Sequence, residues 1–399
     1  MKYPPVKLNT KGFNKYQRGE LWFTTEDLEM VEKLRESLRE GDLVSIYSKD
    51  GHFLGQGYIN LSAYYALKVL TTEATPINEV FFQRAFDRAL NFRRKIYPHE
   101  KTFRLIFAEG DFLPGLIVDI FERVAVIQIH TRGMENLREL IIRALLKTYP
   151  LESLIFKNDF DKRKEENLPM YVEFHLKDPG ELIQVTLDEI KFLVPLKKGQ
   201  KTGLFLDQRE NWRYVSKITS DLTVVDAFSY LGSFSHYSLK GGAKRSFLME
   251  RSAYAIDLAL EIAKLNGWDD KVIPVEGDVL KLLKSPPVDG DLLVIDPPAF
   301  IKSRRDIEKG IRRYRELFYY AISFFRNKRG YLSLFSCSHF LSLADMKNLI
   351  IEILKKEKIS SRLFHTFCQA PDHPINPSVK ETEYLKGLAV EINSLRDFC

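Results

Sequence analysis

The chain has 399 residues, 45% of them hydrophobic, and 60 Lys and Arg against 54 Asp and Glu give it a net charge of +6. That length accommodates two or three domains, and the composition is that of a folded globular protein. No run of eighteen apolar residues and no apolar N-terminal stretch is present, so neither a membrane span nor a signal peptide is expected and the cytoplasm is the expected location. Cys337, Cys368 and Cys399 are too few for a disulfide framework, and no Cys/His cluster has zinc-ligand spacing, so no metal is expected. The modest positive charge agrees with a polyanionic partner without requiring one.

Residues 1–75 carry short β-type runs, Leu43-Val-Ser-Ile-Tyr47 and Phe53-Leu-Gly-Gln-Gly-Tyr-Ile59, joined by Ser48-Lys-Asp-Gly-His52, which has hairpin-turn chemistry. Before them, Leu28 to Leu38 spaces its apolar residues as a short amphipathic helix does. The Gly41-Asp42 pair, the strand and hairpin after it, and Gly55 and Gly57 resemble the PUA domain found on RNA-modifying enzymes. That resemblance implies RNA binding; the alternative is a generic small β-barrel.

Pro76 to Lys95 is expected to be a helix capped by Asn78, with Val80, Phe81, Ala85, Ala89 and Phe92 toward the core. Arg84, Arg88, Arg93, Arg94 and Lys95 then fall on the other face, solvated or in contact with phosphates. Strand runs at Phe103 to Ala108, Leu116 to Phe121 and Val124 to His130, a helix from about Glu135 to Lys147, and a run at Leu154 to Lys157 make a small α+β unit. The charged stretch Asn158 to Asn167 reads as an exposed connection, and strands around Val185 to Val194 lead into the second half.

From Leu222 the pattern alternates strand and helix. Runs at Leu222 to Asp226, Ser246 to Glu250, Lys271 to Asp278, Leu292 to Asp296 and Tyr331 to Ser336 are separated by helical segments such as Ala253 to Leu265 and Arg312 to Phe325. This predicts an α/β fold with a doubly wound, Rossmann-like parallel sheet. Arg362 to Ala370 and Leu385 to Ile392 are too close for a crossover and read as an antiparallel pair at the sheet edge. Expected domains are therefore 1–75, 76–195 and 196–399.

Ligands bind open α/β sheets at the carboxyl ends of the strands. Three acids fall there: Asp226 after the first strand, Glu250 placed to accept from a ribose diol, and Asp278 placed to meet an adenine edge. Together they suit an adenosine-containing cofactor, although each alone could be a helix cap. Gly232 would let a ligand approach the backbone, and the absence of Gly-x-Gly-x-x-Gly removes the main support for hydride chemistry.

This arrangement resembles the class I S-adenosylmethionine-dependent methyltransferases. Lys201 to Asn211, Phe228-Ser-Tyr-Leu-Gly-Ser-Phe234, Asp296-Pro-Pro-Ala-Phe300, Phe335-Ser-Cys-Ser338, Ala370-Pro-Asp-His-Pro374 and Arg104 to Gly115 are similar to motifs of the bacterial large-subunit ribosomal RNA cytosine-5 methyltransferases. The resemblance spans nearly the whole chain. It implies S-adenosylmethionine as cofactor, lined by Asp226, Phe228, Ser229, Gly232, Glu250, Asp278, Asp207, Arg209, Asp296 and Pro297. It also implies RNA as partner, met by Lys201, Pro298 and Lys302. Where close relatives often carry a lysine after the two prolines this chain has Ala299; either Lys302 replaces that lysine or the target nucleotide differs.

The chemistry asks for the same residues. Carbon 5 of cytosine is a poor nucleophile until a thiolate adds to carbon 6, and Cys337 would be that thiol. Asp296 would grip the pyrimidine near ring nitrogen 3 and the exocyclic amine. Without that context a cysteine after an apolar strand is most often a small core residue. Cys368 and Cys399 are expected to be bystanders, and His373 reads as part of an Asp-His-Pro turn or as an acid or base. Two rivals stand beside this reading: methylation of another RNA atom, such as a guanine nitrogen, and a non-catalytic RNA-binding assembly factor. The oligomeric state is open, with a homodimer as one option.

Overall fold

The computed structural model describes residues 3–301 and 303–393. The chain forms two compact units, one of residues 1–185, 194–204 and 371–382, the other of residues 186–193, 205–370 and 383–399.

The first unit holds two five-stranded sheets. In the N-terminal sheet the strands Asp42–Tyr47 and Phe53–Ile59 pair antiparallel, as the turn between them predicts. Gly57 is obligatory there, because a Cβ would lie 2.0 Å from the Lys68 carbonyl oxygen of the next strand. The helix expected from Leu28 to Leu38 is shorter, Val31–Ser37, and buries none of its residues.

The second sheet runs in the order Tyr171–Leu176, Ser153–Asn158, Val124–Ile129, Leu116–Phe121, Thr102–Phe107. Ser153–Asn158 lies parallel to Val124–Ile129 across the helices Arg132–Asn136 and Arg138–Thr148, and the other pairs are antiparallel. The sequence pattern missed the strand Tyr171–Leu176, whose alternation is blurred by exposed apolar residues such as Val172 and Leu176.

The helix Glu79–Ile96 is capped by Asn78, whose side chain accepts from the Phe81 amide at 3.1 Å. Its buried stripe differs from the expected one: Phe82, Ala85, Phe86, Ala89, Leu90 and Arg93 point inward, while Val80 and Phe92 are 51% and 41% exposed. Arg93 is not on the solvated face. It grips Asp111 through both terminal nitrogens and donates to the Asp372 carbonyl oxygen at 2.8 Å. The segment 158–167 is largely exposed, as expected, but Asn158, Arg163 and Glu166 turn inward. It forms a turn of helix, Asp161–Glu166, in which buried Arg163 donates to the Pro169 and Ile129 carbonyls and pairs with Glu135. Buried Glu166 accepts from Lys68 and Asn60. Composition signalled exposure, yet paired buried charges decide the packing.

The second unit carries a seven-stranded sheet. Its strands are β1 (Thr223–Ala227), β2 (Arg245–Glu250), β3 (Val272–Glu276), β4 (Leu292–Ile295), β5 (Gly330–Ser336), β6 (Ser360–Cys368) and β7 (Lys386–Asn393). The order is β3-β2-β1-β4-β5-β7-β6, with the first five parallel and β7 antiparallel to both neighbours. The helices are α1 (Arg209–Ser216), α2 (Ser233–Lys240), α3 (Ala253–Leu265), α4 (Val279–Lys284), α5 (Ile307–Ser323) and α6 (Leu343–Glu357). Strands β1 and β4 are buried on both faces, as parallel strands covered by helices must be. The strand order reverses between β1 and β4, and that is where such sheets open a crevice for ligands. No helix among the described residues is long and apolar enough to cross a membrane.

Candidate active site

Strands β4 and β5 deliver the acid and the thiol to one edge. They are parallel neighbours with Ile295 opposite Leu334, so Asp296-Pro-Pro and Ser336-Cys-Ser leave the sheet side by side. The half-buried Cys337 directs its Sγ to the Pro297 carbonyl oxygen at 3.9 Å. The Asp296 amide donates to the Ala227 carbonyl oxygen at 3.3 Å, which ties the start of the Pro-Pro loop to the end of β1. Pro297 is buried and Pro298 exposed. Lys302 lies outside the described residues, as does Cys399.

Two groups that the sequence did not single out fix this edge. The Tyr314 hydroxyl of α5 accepts from Ser336 Oγ at 3.0 Å and shares a hydrogen with Ser338 Oγ at 2.8 Å, so one buried phenol holds both serines flanking Cys337. Ser338 Oγ also accepts from the Ile301 amide at 3.3 Å, which joins the Pro-Pro loop to the cysteine loop. The second group is Lys386 at the start of β7, whose ammonium donates to the Ser338 and Leu341 carbonyl oxygens at 2.8 and 2.9 Å. Burial pushes its pKa down, and the charge on Cys337 pushes it back up. Neither residue belongs to a recognisable local motif; each acts across a long stretch of sequence.

The opposite side of the crevice is built on the loop after β1. Phe228 and Tyr230 adopt φ of 64° and 51°, left-handed values that bulky side chains rarely take, and Gly232 follows at 69°. Such a run of strained residues is typical of functional loops. A Cβ on Gly232 would reach Leu248 at 3.0 Å and Ala259 at 3.6 Å, so this glycine serves the turn and the packing of α2 against β2 and α3. Glu250 ends β2 with its carboxylate accepting from three backbone amides: Tyr230 at 3.1 Å, Arg251 at 2.7 Å and Ser252 at 2.9 Å. A carboxylate so held keeps its direction, with three of its roughly four acceptor sites already taken.

Asp226 is 1% exposed. Its Oδ2 accepts from the Ser235 amide at 3.1 Å and hydroxyl at 2.8 Å, which pins the end of β1 to α2. Burial raises its pKa to about 7 against the relief those two bonds give, and the charge of Glu250 raises it further. Asp226 Oδ1 and the buried Ser229 Oγ have no hydrogen-bond partner among the described residues. These two acceptors, at the end of β1 and in the loop that follows it, stay open to a polar ligand. Asp278 is exposed and caps α4, accepting from the Lys281 amide at 3.3 Å.

Asp207 and Arg209 are both buried. The Asp207 carboxylate accepts from the Tyr384 hydroxyl, and its carbonyl accepts from the Ala370 amide at 2.8 Å. Arg209 lies near Asp188 and Tyr237; burial opposes the ionisation of both, and the Arg209 charge favours it. Lys201 belongs to the other unit, in a left-handed turn with φ of 49°. His373 is in that unit too, 1% exposed, its Nδ1 2.8 Å from Asp372 Oδ1. Asp372 Oδ2 also accepts from the Arg104 amide at 2.9 Å, so the Asp-His-Pro turn is part of a buried polar network. Cys368 is exposed at the end of β6, and burial of its thiol still pushes the pKa up.

Residues 6–72 match the family of PUA-like domains, and residues 166–322 match the family of S-adenosylmethionine-dependent methyltransferases. The ribosomal RNA large subunit methyltransferase I of Alteromonas mediterranea is 32% identical over 372 residues, which span 91% of this chain and 93% of the relative. That of Aeromonas salmonicida is 33% identical over 377 residues, 92% of this chain and 94% of its own. The chain belongs to that family. Membership makes it an S-adenosylmethionine-dependent methyltransferase with an N-terminal PUA-like domain and a C-terminal Rossmann-like sheet. Its fold is that of SMU.776, a methyltransferase solved with SAH, at a TM-score of 0.82 and 20% identity, covering 97% of this chain and 100% of the other. An S-adenosylmethionine-dependent methyltransferase from Streptococcus mutans superposes at 0.79, again with 20% identity and coverage of 97% and 100%.

Proposed function

We propose that this family member methylates carbon 5 of a cytosine in large-subunit ribosomal RNA through a covalent adduct with Cys337. The observation that carries the reading is the placement of the Cys337 thiol against the Pro297 carbonyl at the end of β4, beside Asp296. The ribosomal RNA named for its relatives supports the substrate.

S-adenosylmethionine, when bound, supplies an electrophilic methyl group. Glu250 would hold its ribose diol, and the loop of Phe228, Ser229 and Gly232, with Asp226 beneath, Asp278 at the end of β3 and Pro297 opposite, would line the rest. Asp207 and Arg209 would help to shape that pocket. Cys337 adds as thiolate to carbon 6, forming a carbon–sulfur bond and moving the ring electrons to carbon 5. Asp296 hydrogen-bonds the pyrimidine while that charge develops. Carbon 5 would then take the methyl group as the methyl's bond to the sulfonium breaks and S-adenosylhomocysteine leaves; transfer of the carbon 5 proton to a base restores the double bond and expels Cys337 as thiolate. The target base has to leave its stack to reach the thiol. Pro298, Lys201 and Lys302 would meet RNA. Residues 1–75, 76–195 and 196–399 serve as RNA-binding, central and catalytic domains.

The test is RNA carrying 5-fluorocytosine, incubated with the protein and S-adenosylmethionine. Fluorine blocks the elimination, so a covalent RNA adduct should accumulate and map to Cys337. Methylation of ordinary RNA with no adduct on the fluorinated form would move the reaction to another atom, such as a guanine nitrogen. Binding of RNA with no binding of S-adenosylmethionine would favour a non-catalytic factor.

A further inference from the structure

The helix Glu79–Ile96 turns one cationic face to solvent. Arg84, Asp87, Arg88, Asn91, Phe92 and Lys95 line a hollow of about 540 Å³. Three cations meet one acid there, and Arg84, Arg88 and Lys95 are exposed. Two other charges of this helix are engaged: Arg93 is buried on Asp111, and Glu79 takes Arg143 and Lys147. Two aromatic rings stand at the same place. Phe92 is 41% exposed, and the guanidinium of Arg88 lies 5.7 Å from the ring of Phe112, itself 52% exposed.

Phe112 is the telling residue. It closes the short turn Ala108–Asp111 in a left-handed conformation, φ 60° and ψ 25°, where glycine or asparagine would sit without strain. The chain thus accepts an unfavourable backbone and an unfavourable exposure at one position, and neither is explained by packing. What it gains is an exposed ring beside a guanidinium.

We propose that this face is a binding surface for single-stranded RNA, distinct from the crevice at the end of the parallel sheet and resting on the reading of the protein as an RNA methyltransferase. Arg84, Arg88 and Lys95 meet successive phosphates, Phe112 and Phe92 stack on unpaired bases, and Asn91 hydrogen-bonds a base edge. Cations interleaved with exposed rings fit single strands, whose bases offer their faces, better than a duplex, whose bases are stacked inside.

The experiment measures binding of a fluorescently labelled single-stranded RNA oligonucleotide and of its duplex to the full chain, over a range of salt. Arg84→Glu with Arg88→Glu should weaken single-strand binding at least about tenfold and reduce the slope of log affinity against log salt by about 1.4, near 0.7 for each phosphate no longer neutralised. Phe112→Ala should weaken it about tenfold with no change of slope, and Phe112→Trp should restore it. Melting temperature and S-adenosylmethionine affinity should stay at wild-type values, since none of these residues lies in the cofactor site. Wild-type single-strand affinity in the charge-reversal and Phe112→Ala variants, with RNA still methylated by the parent protein, overturns the surface and leaves the proposed function standing. An equal loss on duplex overturns the single-strand assignment. A parent protein that neither binds nor methylates RNA overturns both readings.

Discussion

The thiol of Cys337 and the carbonyl of Pro297 face each other at 3.9 Å across the ends of two neighbouring parallel strands. Neither the cysteine nor the acid-Pro-Pro loop has that meaning alone; adjacency of β4 and β5 gives it. If the thiol is the nucleophile, Cys337→Ala should lower turnover by at least about a thousandfold, because the non-covalent route has no activated carbon 5. S-adenosylmethionine affinity, read by calorimetry, should stay within about twofold. Near-normal turnover in this variant would sink the covalent mechanism.

Tyr314 positions that thiol rather than reacting. Its hydroxyl bonds both Ser336 and Ser338, so Tyr314→Phe frees the two residues that bracket Cys337 while keeping the ring in the core. The expected result is a fall in kcat of about tenfold with KM for RNA little changed, since a small misplacement of a reacting atom is enough for such a loss. Adduct formation with 5-fluorocytosine RNA should slow in parallel. A melting temperature that drops while adduct formation keeps its rate would assign Tyr314 to stability alone.

The parallel sheet is legible in the sequence because its strands are short, largely apolar runs at regular spacing, β1 to β4 each reaching an acid at or next to the end, and the two-faced burial of β1 and β4 writes that pattern strongly. Cys337 and Asp296 are legible for the same reason, each following such a run. Tyr314 and Lys386 are not, because their roles depend on groups 22 to 48 positions away. The helix Glu79–Ile96 shows a different limit. Phe92 and Arg93 are neighbours, and a helical period alone cannot say which one turns inward when the core offers a carboxylate. Arg163 and Glu166 were hidden in a charged stretch by the same ambiguity.

Arg93 makes that ambiguity measurable. It is 1% exposed and bonded to Asp111, the Arg104 carbonyl and the Asp372 carbonyl. Arg93→Ala leaves the Asp111 carboxylate without its cation, so the loss of stability should be about 3–5 kcal/mol. Arg94→Ala, next to it and exposed, should stay within about 0.5 kcal/mol. Denaturant midpoints of the two variants give the comparison. Equal effects would mean that Arg93 reaches solvent.

Asp226 supplies a pH-dependent contribution whose sign is fixed by burial. Its pKa rises from the ordinary 3.8 to about 7 in the folded protein, through burial first and the charge of Glu250 in addition. Between those values the folded state holds a proton that the unfolded state has lost. The contribution is therefore complete below about pH 4 and disappears as pH rises through about 7. Buried Glu109, also raised to about 7, acts in the same direction, whereas His130 and His236, lowered to about 3 and 4, weaken the fold as pH falls below their unfolded value. Asp226→Asn removes one of the two descending contributions and keeps an acceptor for Ser235. Its stability should fall less steeply than the wild type's between about pH 5 and 8, measured as denaturant midpoints across that range. An unaltered slope would show that Asp226 is ionised in the folded protein throughout.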